Sequence, residues 1–465
     1  MNLETKKIVV KFGGSNLKQK EDITRLVSAV SYYRQPIVIV VSALYGVTDM
    51  LVYTLSRVTT CEEVIEEIKQ KLLDSHRQIL NLYIENQTFR QEVSAKIDIR
   101  VAELVKYLRG LHCLGEVPNF AYDRVLSYGE RLSSLVISAI LIYNKMPCRE
   151  LLPEDLGLYT NGEYGNATVD FMTSEAEVKA NLACAEIAVI PGFYGLSRDG
   201  KVTLLGRGGT DYTAAAVARC IDAASVDLWK DVPGFMTADP KLVPNPEVIG
   251  RLTYNEAAEL SYFGARIAHP RTFEPVEEKK IPVRLFNIMN FTEDLTPVTI
   301  ISENGVIKKD IVKSVTYSDD FAILKLHGVG VGIKPGVMAA VTSGLADAGI
   351  NIKSIITSQT CINILLSHLD LNKGLNVVQH LPLLVVDHIT PINDIALIAV
   401  VGEGILEAPG IAARLLSAIS VHHINVSTIS AGASNVAIYF IINRKDRTLA
   451  IQSIHNEFFP CIGDK

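Results

Sequence analysis

Over the first 300 residues, short apolar runs alternate with stretches whose apolar positions recur three or four apart. Ile8 to Phe12 is one such run, ending at Gly13-Gly14, and Ile37 to Ser42 is another. Between them, Glu21 to Tyr33 places Ile23, Leu26, Val27 and Val30 on one helical face. Strand, glycine turn, helix and strand make the βαβ unit of a parallel sheet flanked by helices. From Asp49 to Leu111 the pattern is helical, with Val64, Ile65, Ile68, Leu72 and Leu73 in register between Glu62 and Tyr83. Further strands are predicted at Ala188 to Ile190, Thr203 to Leu205, Ser225 to Trp229 and Val283 to Asn287.

Past Asn304 the texture changes and an internal repeat emerges. Pro335-Gly336 recurs as Pro409-Gly410 and Asn351 as Asn425; 409−335 and 425−351 are both 74. At the same offset Ile352 matches Val426, Ile355 matches Ile429 and Ile364 matches Ile438. Each copy reads as strand, Pro-Gly turn opening a helix, Asn-Ile or Asn-Val strand, then an alternating strand such as Val436 to Ile442. A duplicated βαββαβ unit explains this, giving two small domains packed sheet to sheet. The expected division is 1–300, a linker or first strand over 301–320, and two repeat domains over 321–390 and 391–465.

Composition narrows the function. The chain of 465 residues is 48% hydrophobic and 21% charged, as an ordinary globular protein of about three domains would be. Its net charge is −6 with no basic block, which argues against nucleic acid or an anionic membrane as partner. Apolar runs such as Ile37 to Val41 and Leu135 to Tyr143 fall short of the roughly 18 residues a membrane helix needs. Met1-Asn2-Leu3-Glu4 has no secretory apolar segment. The seven cysteines (61, 113, 148, 184, 220, 361 and 461) are odd in number, scattered and never Cys-x-x-Cys, so neither a disulfide framework nor a zinc site is expected. Only His422 and His423 adjoin among ten histidines, and no metal-ligand spacing is present. A cytoplasmic location is expected.

Four segments could carry chemistry, once one tempting match is set aside. Gly195 to Lys201 fits the glycine-lysine core of a P-loop, but Val202 follows instead of Ser or Thr, and Asp199-Gly200 between strand-like segments is a hairpin signal. In Val9-Val10-Lys11-Phe12-Gly13-Gly14-Ser15, a lysine ends a buried strand, which is costly unless an anion meets it. The glycines behind it let backbone N–H groups and a helix N-terminus approach a phosphate, or else form a plain tight turn. In Gly206-Arg207-Gly208-Gly209-Thr210-Asp211-Tyr212-Thr213, glycines, a hydroxyl and an acid open a predicted helix behind an arginine. An N-cap would account for Thr210 or Asp211 alone; an anion cradle with Arg207 as a carboxylate clamp accounts for the whole. Asp227 to Lys241 is a strand running into a loop with three acids and lysines at 230 and 241. Finally, Glu130 and Arg131 fall near a helix start, either as functional groups or as a solvated first turn.

In this order, and with Val41-Ser42-Ala43, Gly46-Val47-Thr48, Gly129-Glu130, Trp229-x-Asp231-Val232-Pro233-Gly234 and Phe263-Gly264-Ala265-Arg266-Ile267-x-His269-Pro270, the segments resemble the aspartokinases of the amino-acid kinase family. The tail resembles their tandem ACT domains, down to Ile429-Ser430-x-Gly432-Ala433-Ser434. The likeness covers essentially the whole chain. Glu259 to Gly264 and Leu111 to Gly115 look closest to the kinase half of bifunctional aspartokinase–homoserine dehydrogenases, and with no third catalytic region after residue 465 the dehydrogenase is expected to be absent. The implied fold is an α/β sandwich with a mostly parallel central sheet, followed by two α+β ACT units.

The resemblance implies ATP-dependent phosphorylation of the L-aspartate side chain to 4-phospho-L-aspartate, the first step towards lysine, threonine and methionine. It implies that Lys11 contacts the transferred phosphoryl group, with Asp211 organising the groups around it. Arg207, with Gly208 and Gly209, would clamp the α-carboxylate, Glu130 would hold the α-ammonium, and Ser42 and Thr48 would line the amino-acid pocket. ATP, with Mg²⁺ held mainly by the nucleotide, would lie against Gly13, Gly14, Ser15, Lys230, Asp231, Met236, Lys241 and Arg266. The family usually has Thr-Ser at Ser15-Asn16, Thr at Lys230, Tyr at Met236, Arg at Lys241 and Lys at Arg266. Four of these departures fall in the nucleotide region, and Arg and Lys are not interchangeable there. An amino-acid effector, threonine or lysine, would meet Asn351, Ile352, Thr357, Ser358, Gln359, Asn425 and Val426; Gln359 and Lys353 stand near where lysine-sensing members place an acid. A homodimer or larger homo-oligomer is implied. Kinases of glutamate, acetylglutamate or carbamate, and a catalytically silent amino-acid sensor, remain as alternatives.

Overall fold

The computed structural model describes residues 6–183, 187–265, 267–291, 295–304 and 311–460. The chain forms two compact units: 1–235, 248–261 and 266–306 make the first, and 236–247, 262–265 and 307–465 the second.

In the first unit β1 (Ile8–Phe12) is followed by a three-residue 3₁₀ turn and then α1 (Lys20–Tyr32), β2 (Ile37–Val41), α2 (Val47–Arg57), α3 (Glu63–Tyr83) and α4 (Gln87–Leu114). Next come α5 (Asn119–Leu126), α6 (Tyr128–Tyr143), β3 (Cys148–Glu150), α7 (Pro153–Leu156), α8 (Phe171–Asn181) and β4 (Ile187–Pro191). The hairpin β5 (Tyr194–Leu196) and β6 (Val202–Leu204) leads into α9 (Gly209–Cys220) and β7 (Ser225–Lys230). The remainder is β8 (Arg251–Leu252), α10 (Tyr254–Tyr262), α11 (Glu274–Glu278), β9 (Val283–Asn287) and β10 (Thr299–Ile301).

The central sheet runs β3-β4-β2-β1-β7-β9-β10-β8 and is parallel except where β10 meets β9. β1 and β2 are buried along their whole length, as the centre of a parallel sheet covered on both faces must be. Ile8, Val10 and Phe12 join the large core made with α1 to α6, whereas Val9 and Lys11 point to the opposite face, where α9 packs on β1. The stretch Asn119–Tyr143 is long and apolar enough to cross a membrane, yet its most apolar 18-residue window is 94% buried within the protein as a core element. Asp199-Gly200 does form a hairpin turn, with Gly200 N–H donating to Ser197 C=O, so no phosphate loop exists there.

In the second unit β11 (Ser314–Ser318) precedes β12 (Ala322–His327), α12 (Val337–Asp347), β13 (Ile352–Thr357), β14 (Cys361–Leu366), α13 (Leu371–Gln379) and β15 (His388–Ile392). The second repeat is β16 (Ile395–Val401), α14 (Ile411–Ser420), β17 (Val426–Ala431), β18 (Ala437–Asn443) and α15 (Arg447–Phe458). The sheets are β13-β14-β12-β15 and β17-β18-β16-β11. The first repeat supplies its own fourth strand. The second takes its fourth strand from β11, ahead of the first, so one unit is inserted into the other. The 74-residue offset extends to these strands, since 388−314 is 74, and the edge strands share a bulge at Ile352/Ser354 and Val426/Thr428. On the faces turned from the helices, Ile323, Leu365, Leu397, Ala399 and Ile441 are buried and Ser354 Oγ lies 3.3 Å from the Tyr439 hydroxyl, so the two sheets do meet.

Segment 236–247 belongs to this second unit. Val315 N–H donates to Thr237 C=O, Ser314 Oγ donates to Met236 C=O, and Ala238 and Val243 enter the core built on β16 and β18.

Candidate active site

In an open parallel sheet, ligands bind outside the carboxyl ends of the strands. At those ends, a cavity of about 410 Å³ is lined by Lys11, Ser42, Phe193 and the run Gly206 to Asp211, together with Tyr122, Leu126, Gly165 and Leu204. Lys11 Nζ lies 2.6 Å from Asp211 Oδ1, and Lys230 Nζ, at the end of β7, lies 2.8 Å from Asp211 Oδ2. Asp211 sits in the first turn of α9, whose opening residues Gly209 and Thr210 line the same space.

Electrostatics follow from this triplet. Burial pulls the Lys11 ammonium down to a pKa of about 8, a fall that Asp211 opposes and Lys230 assists. Burial alone would raise Asp211, but the two ammonium groups outweigh it and hold the carboxyl at about 2. Across the cavity Arg207 is exposed, and among the described residues no carboxylate pairs with it. Glu130 is buried beside the cavity and does not line it. Burial lifts its pKa to about 8 against the Ala43 amide and Lys11, and its Oε2 has no hydrogen-bond partner. Glu130 and Arg131 are therefore not a solvated turn.

Glycine is required where the chain is tightest. Gly208 has φ +69°, and a Cβ there would lie 2.3 Å from His269 Cβ; one at Gly14 would lie 3.0 Å from Ala43 C=O. The glycines of Gly13-Gly14-Ser15 depart from expectation: Gly13 caps a 3₁₀ turn over Gly14–Asn16 and α1 starts only at Lys20, so no α-helix N-terminus follows them directly.

The sequence candidates do not all converge. Lys11, Ser42, Arg207, Gly208, Gly209 and Asp211 line the cavity, and Lys230 is tied to it through Asp211. Thr48, in the first turn of α2, is not among the lining residues. Asp231 is exposed, Met236 and Lys241 belong to the second unit, and Arg266 lies outside the described residues. Asn351 and Gln359 flank opposite ends of β13, about 20 Å apart at the usual rise per residue, so one small effector does not touch both within one chain. Lys353 is already paired with Asp320 Oδ2 at 3.1 Å. Asn425 and Val426 occupy the matching start of β17. Sequence reasoning missed Phe193, which lines the cavity with φ +73°, a conformation rare outside glycine; its setting in Pro191-Gly192-Phe193 was the available signal.

An ion-paired lysine, the first turn of a helix and, among the described residues, a guanidinium without a carboxylate partner line one cavity of an α/β sheet, in a chain that also carries a duplicated α+β module. The chain belongs to the amino acid kinase family, whose model matches residues 6–287, and ACT domain models match residues 316–379 and 398–458. It is 29% identical over 463 residues to the bifunctional aspartokinase/homoserine dehydrogenase of Buchnera aphidicola, covering 97% of this chain and 56% of that one, so it spans about half that relative's length. Aspartokinase 1 of Arabidopsis thaliana, a chloroplastic protein, is 28% identical, covering 97% of this chain and 80% of the relative. E. coli aspartokinase III, solved with aspartate and ADP, shares the fold with a TM-score of 0.81 at 24% identity, covering 97% of this chain and 99% of that one.

Proposed function

We propose that the chain transfers the terminal phosphoryl group of ATP to the side-chain carboxylate of L-aspartate, forming 4-phospho-L-aspartate, the entry to lysine, threonine and methionine synthesis. The observation that carries the reading is the Lys11–Asp211–Lys230 triplet, of which Lys11 and Asp211 line one cavity with Arg207, a guanidinium that has no carboxylate partner among the described residues. The relatives' aspartokinase names agree with it.

The nucleophile, with an ordinary pKa of about 3.9, is ionised at pH 7 and needs no general base. The residues therefore position reactants and cancel charge. Arg207 takes the α-carboxylate in a two-pronged contact, and Glu130, buried beside the cavity, would give its proton to solvent and turn the Oε2 that lacks a partner to the entering α-ammonium. Asp211 opposes deprotonation of Lys11 and holds both the Lys11 and Lys230 side chains aimed until the polyphosphate arrives. Both Asp211 oxygens are engaged by ammonium groups, so Mg²⁺ fits as an ion carried by the phosphates, where it would neutralise their charge. Among the described residues no cluster of three His, Cys, Asp or Glu offers it a protein site. Gly13, Gly14, Ser15, Asp231 and Arg266 remain the proposed nucleotide contacts. The ACT pair would carry an amino-acid effector, and the exposed edge strand β13 suits pairing in a homodimer. A cytoplasmic location suits an ATP-dependent biosynthetic step.

The test is to incubate the protein with ATP, Mg²⁺ and hydroxylamine, which traps acyl phosphates as hydroxamates. Aspartate is compared with glutamate, with and without lysine or threonine. Hydroxamate formed from aspartate supports the reading. Product from glutamate alone overturns the substrate assignment, and none from either overturns the activity.

A further inference from the structure

The cavity wall formed by Gly165, Leu204 and Gly206 belongs to loops, yet it is fixed from two sides by charged side chains that line no part of the cavity. On one side is Asp123 of α5, which is 1% exposed. A single oxygen, Oδ2, accepts the Gly165 and the Leu204 backbone N–H groups, each at 2.8 Å. Two wall residues 39 positions apart thus share one acceptor, and Ala167 N–H closes the link by donating to Leu204 C=O at 2.7 Å.

On the other side is Arg271, in the 3₁₀ turn Pro270–Thr272. Its guanidinium donates to Asn166 Oδ1 at 2.7 Å, Ala167 C=O at 2.9 Å, Thr168 Oγ1 at 3.0 Å and Leu205 C=O at 3.3 Å. It also lies 4.7 Å from the centre of the Tyr212 ring, and the Tyr212 hydroxyl accepts the Val169 N–H. The same turn presents His269, whose Cβ backs Gly208. One turn therefore braces both the 166–168 loop and the glycine loop that carries Arg207.

We propose that Asp123 and Arg271 are positioning residues that set the distance between the Arg207 clamp and the phosphoryl end of the cavity, and so select the length of the acidic amino acid. The inference rests on the proposed kinase activity. Neither side chain touches the substrate; each acts through the backbone that leads into Arg207. A planar guanidinium reaching four acceptors is not replaced by an ammonium, whereas an asparagine at 123 keeps one oxygen able to accept both amides.

The experiment measures steady-state kinetics and calorimetric binding of L-aspartate and L-glutamate on the full chain. Asp123→Ala and Arg271→Lys are expected to raise KM and Kd for aspartate about tenfold or more, the scale for losing charge-assisted hydrogen bonds. KM for ATP should stay within about twofold, and the preference for aspartate over glutamate should fall. Asp123→Asn should restore most of the affinity. Should Asp123→Ala not fold, the surface pair Asn166→Ala with Thr168→Val, which removes two Arg271 acceptors at exposed positions, should still raise KM for aspartate. Folded variants with unchanged aspartate affinity and discrimination overturn the proposal, as does an equal loss for aspartate and ATP. Absence of aspartate-dependent turnover in the unmodified protein would instead overturn the underlying activity.

Discussion

Glu130→Gln separates the folding role of this buried acid from its binding role. An unfolded glutamate ionises near 4.5, whereas in the folded chain burial holds Glu130 neutral up to about 8. A raised acid pKa contributes stability that is complete below 4.5 and is lost as pH climbs through 8. Across that gap, at 1.36 kcal/mol per pH unit, the loss is about 5 kcal/mol. Glutamine stays neutral throughout and still accepts the Ala43 amide. At pH 5 the two proteins should be about equally stable. At pH 8 the glutamine variant should be the more stable by up to that amount. The single tryptophan, Trp229, is buried in the kinase unit and reports its denaturant unfolding by fluorescence. The same substitution should raise KM for aspartate about ten- to a hundredfold, because a charge-assisted hydrogen bond to ammonium is worth about 1.5–3 kcal/mol. In the unmodified enzyme KM should fall between pH 6.5 and 8 as the carboxylate becomes available, and in the variant that slope should vanish. An equal stability difference at pH 5 and pH 8, or an unchanged KM, refutes the reasoning.

Lys11→Ala should lower kcat about a hundredfold or more, the scale for one preorganised charge-stabilising donor, and unchanged turnover in the hydroxamate assay would remove Lys11 from the chemistry. Arg207→Ala should mainly raise KM for the amino acid with kcat little changed; a change confined to ATP would reassign it. Gly332→Ala would place a Cβ 1.9 Å from Ser358 C=O, so the first repeat should lose about 1–3 kcal/mol in thermal unfolding, and an unaffected transition would show that the loop yields freely.

What the sequence revealed and what it hid divide along physical lines. Period and run length exposed β1, β2, α3 and the 74-residue duplication, because a buried strand or an amphipathic helix needs apolar positions at fixed intervals. Lys11 and Asp211 were legible separately, as an otherwise costly lysine in a buried strand and an acid at a helix start, while their pairing was implied only by the family resemblance. Strand exchange was not: β11 has the composition of any half-buried strand, and only the pairing Ser314↔Val401 through Ser318↔Leu397 reveals whose sheet it completes. Asp123 and Arg271 were equally silent, since each is defined by backbone groups it holds 42 to 104 residues away. Segment 236–247 read as a loop beside the nucleotide, yet Ala238 and Val243 are apolar anchors for the second unit's core.

The charges around the cavity explain why one acid is kept neutral. Lys11, Lys230 and Arg207 bring three positive charges and Asp211 returns one negative, so the unligated site attracts anions. An ionised Glu130 would weaken that attraction for both a polyphosphate and a dicarboxylate. Held protonated near neutral pH, it leaves the field positive until an ammonium enters, and only then does ionisation become favourable. Asp211 has the opposite setting for a matching reason: at a pKa of about 2 it stays charged at every working pH, so the buried Lys11 keeps a partner that opposes its deprotonation. A dicarboxylate lacking an amino group satisfies Arg207 and Lys11 but gives Glu130 no reason to release its proton. Discrimination for the amino group therefore comes from a proton equilibrium inside the wall, and it should strengthen above pH 8, where Glu130 is already ionised and repels a dicarboxylate that brings no ammonium.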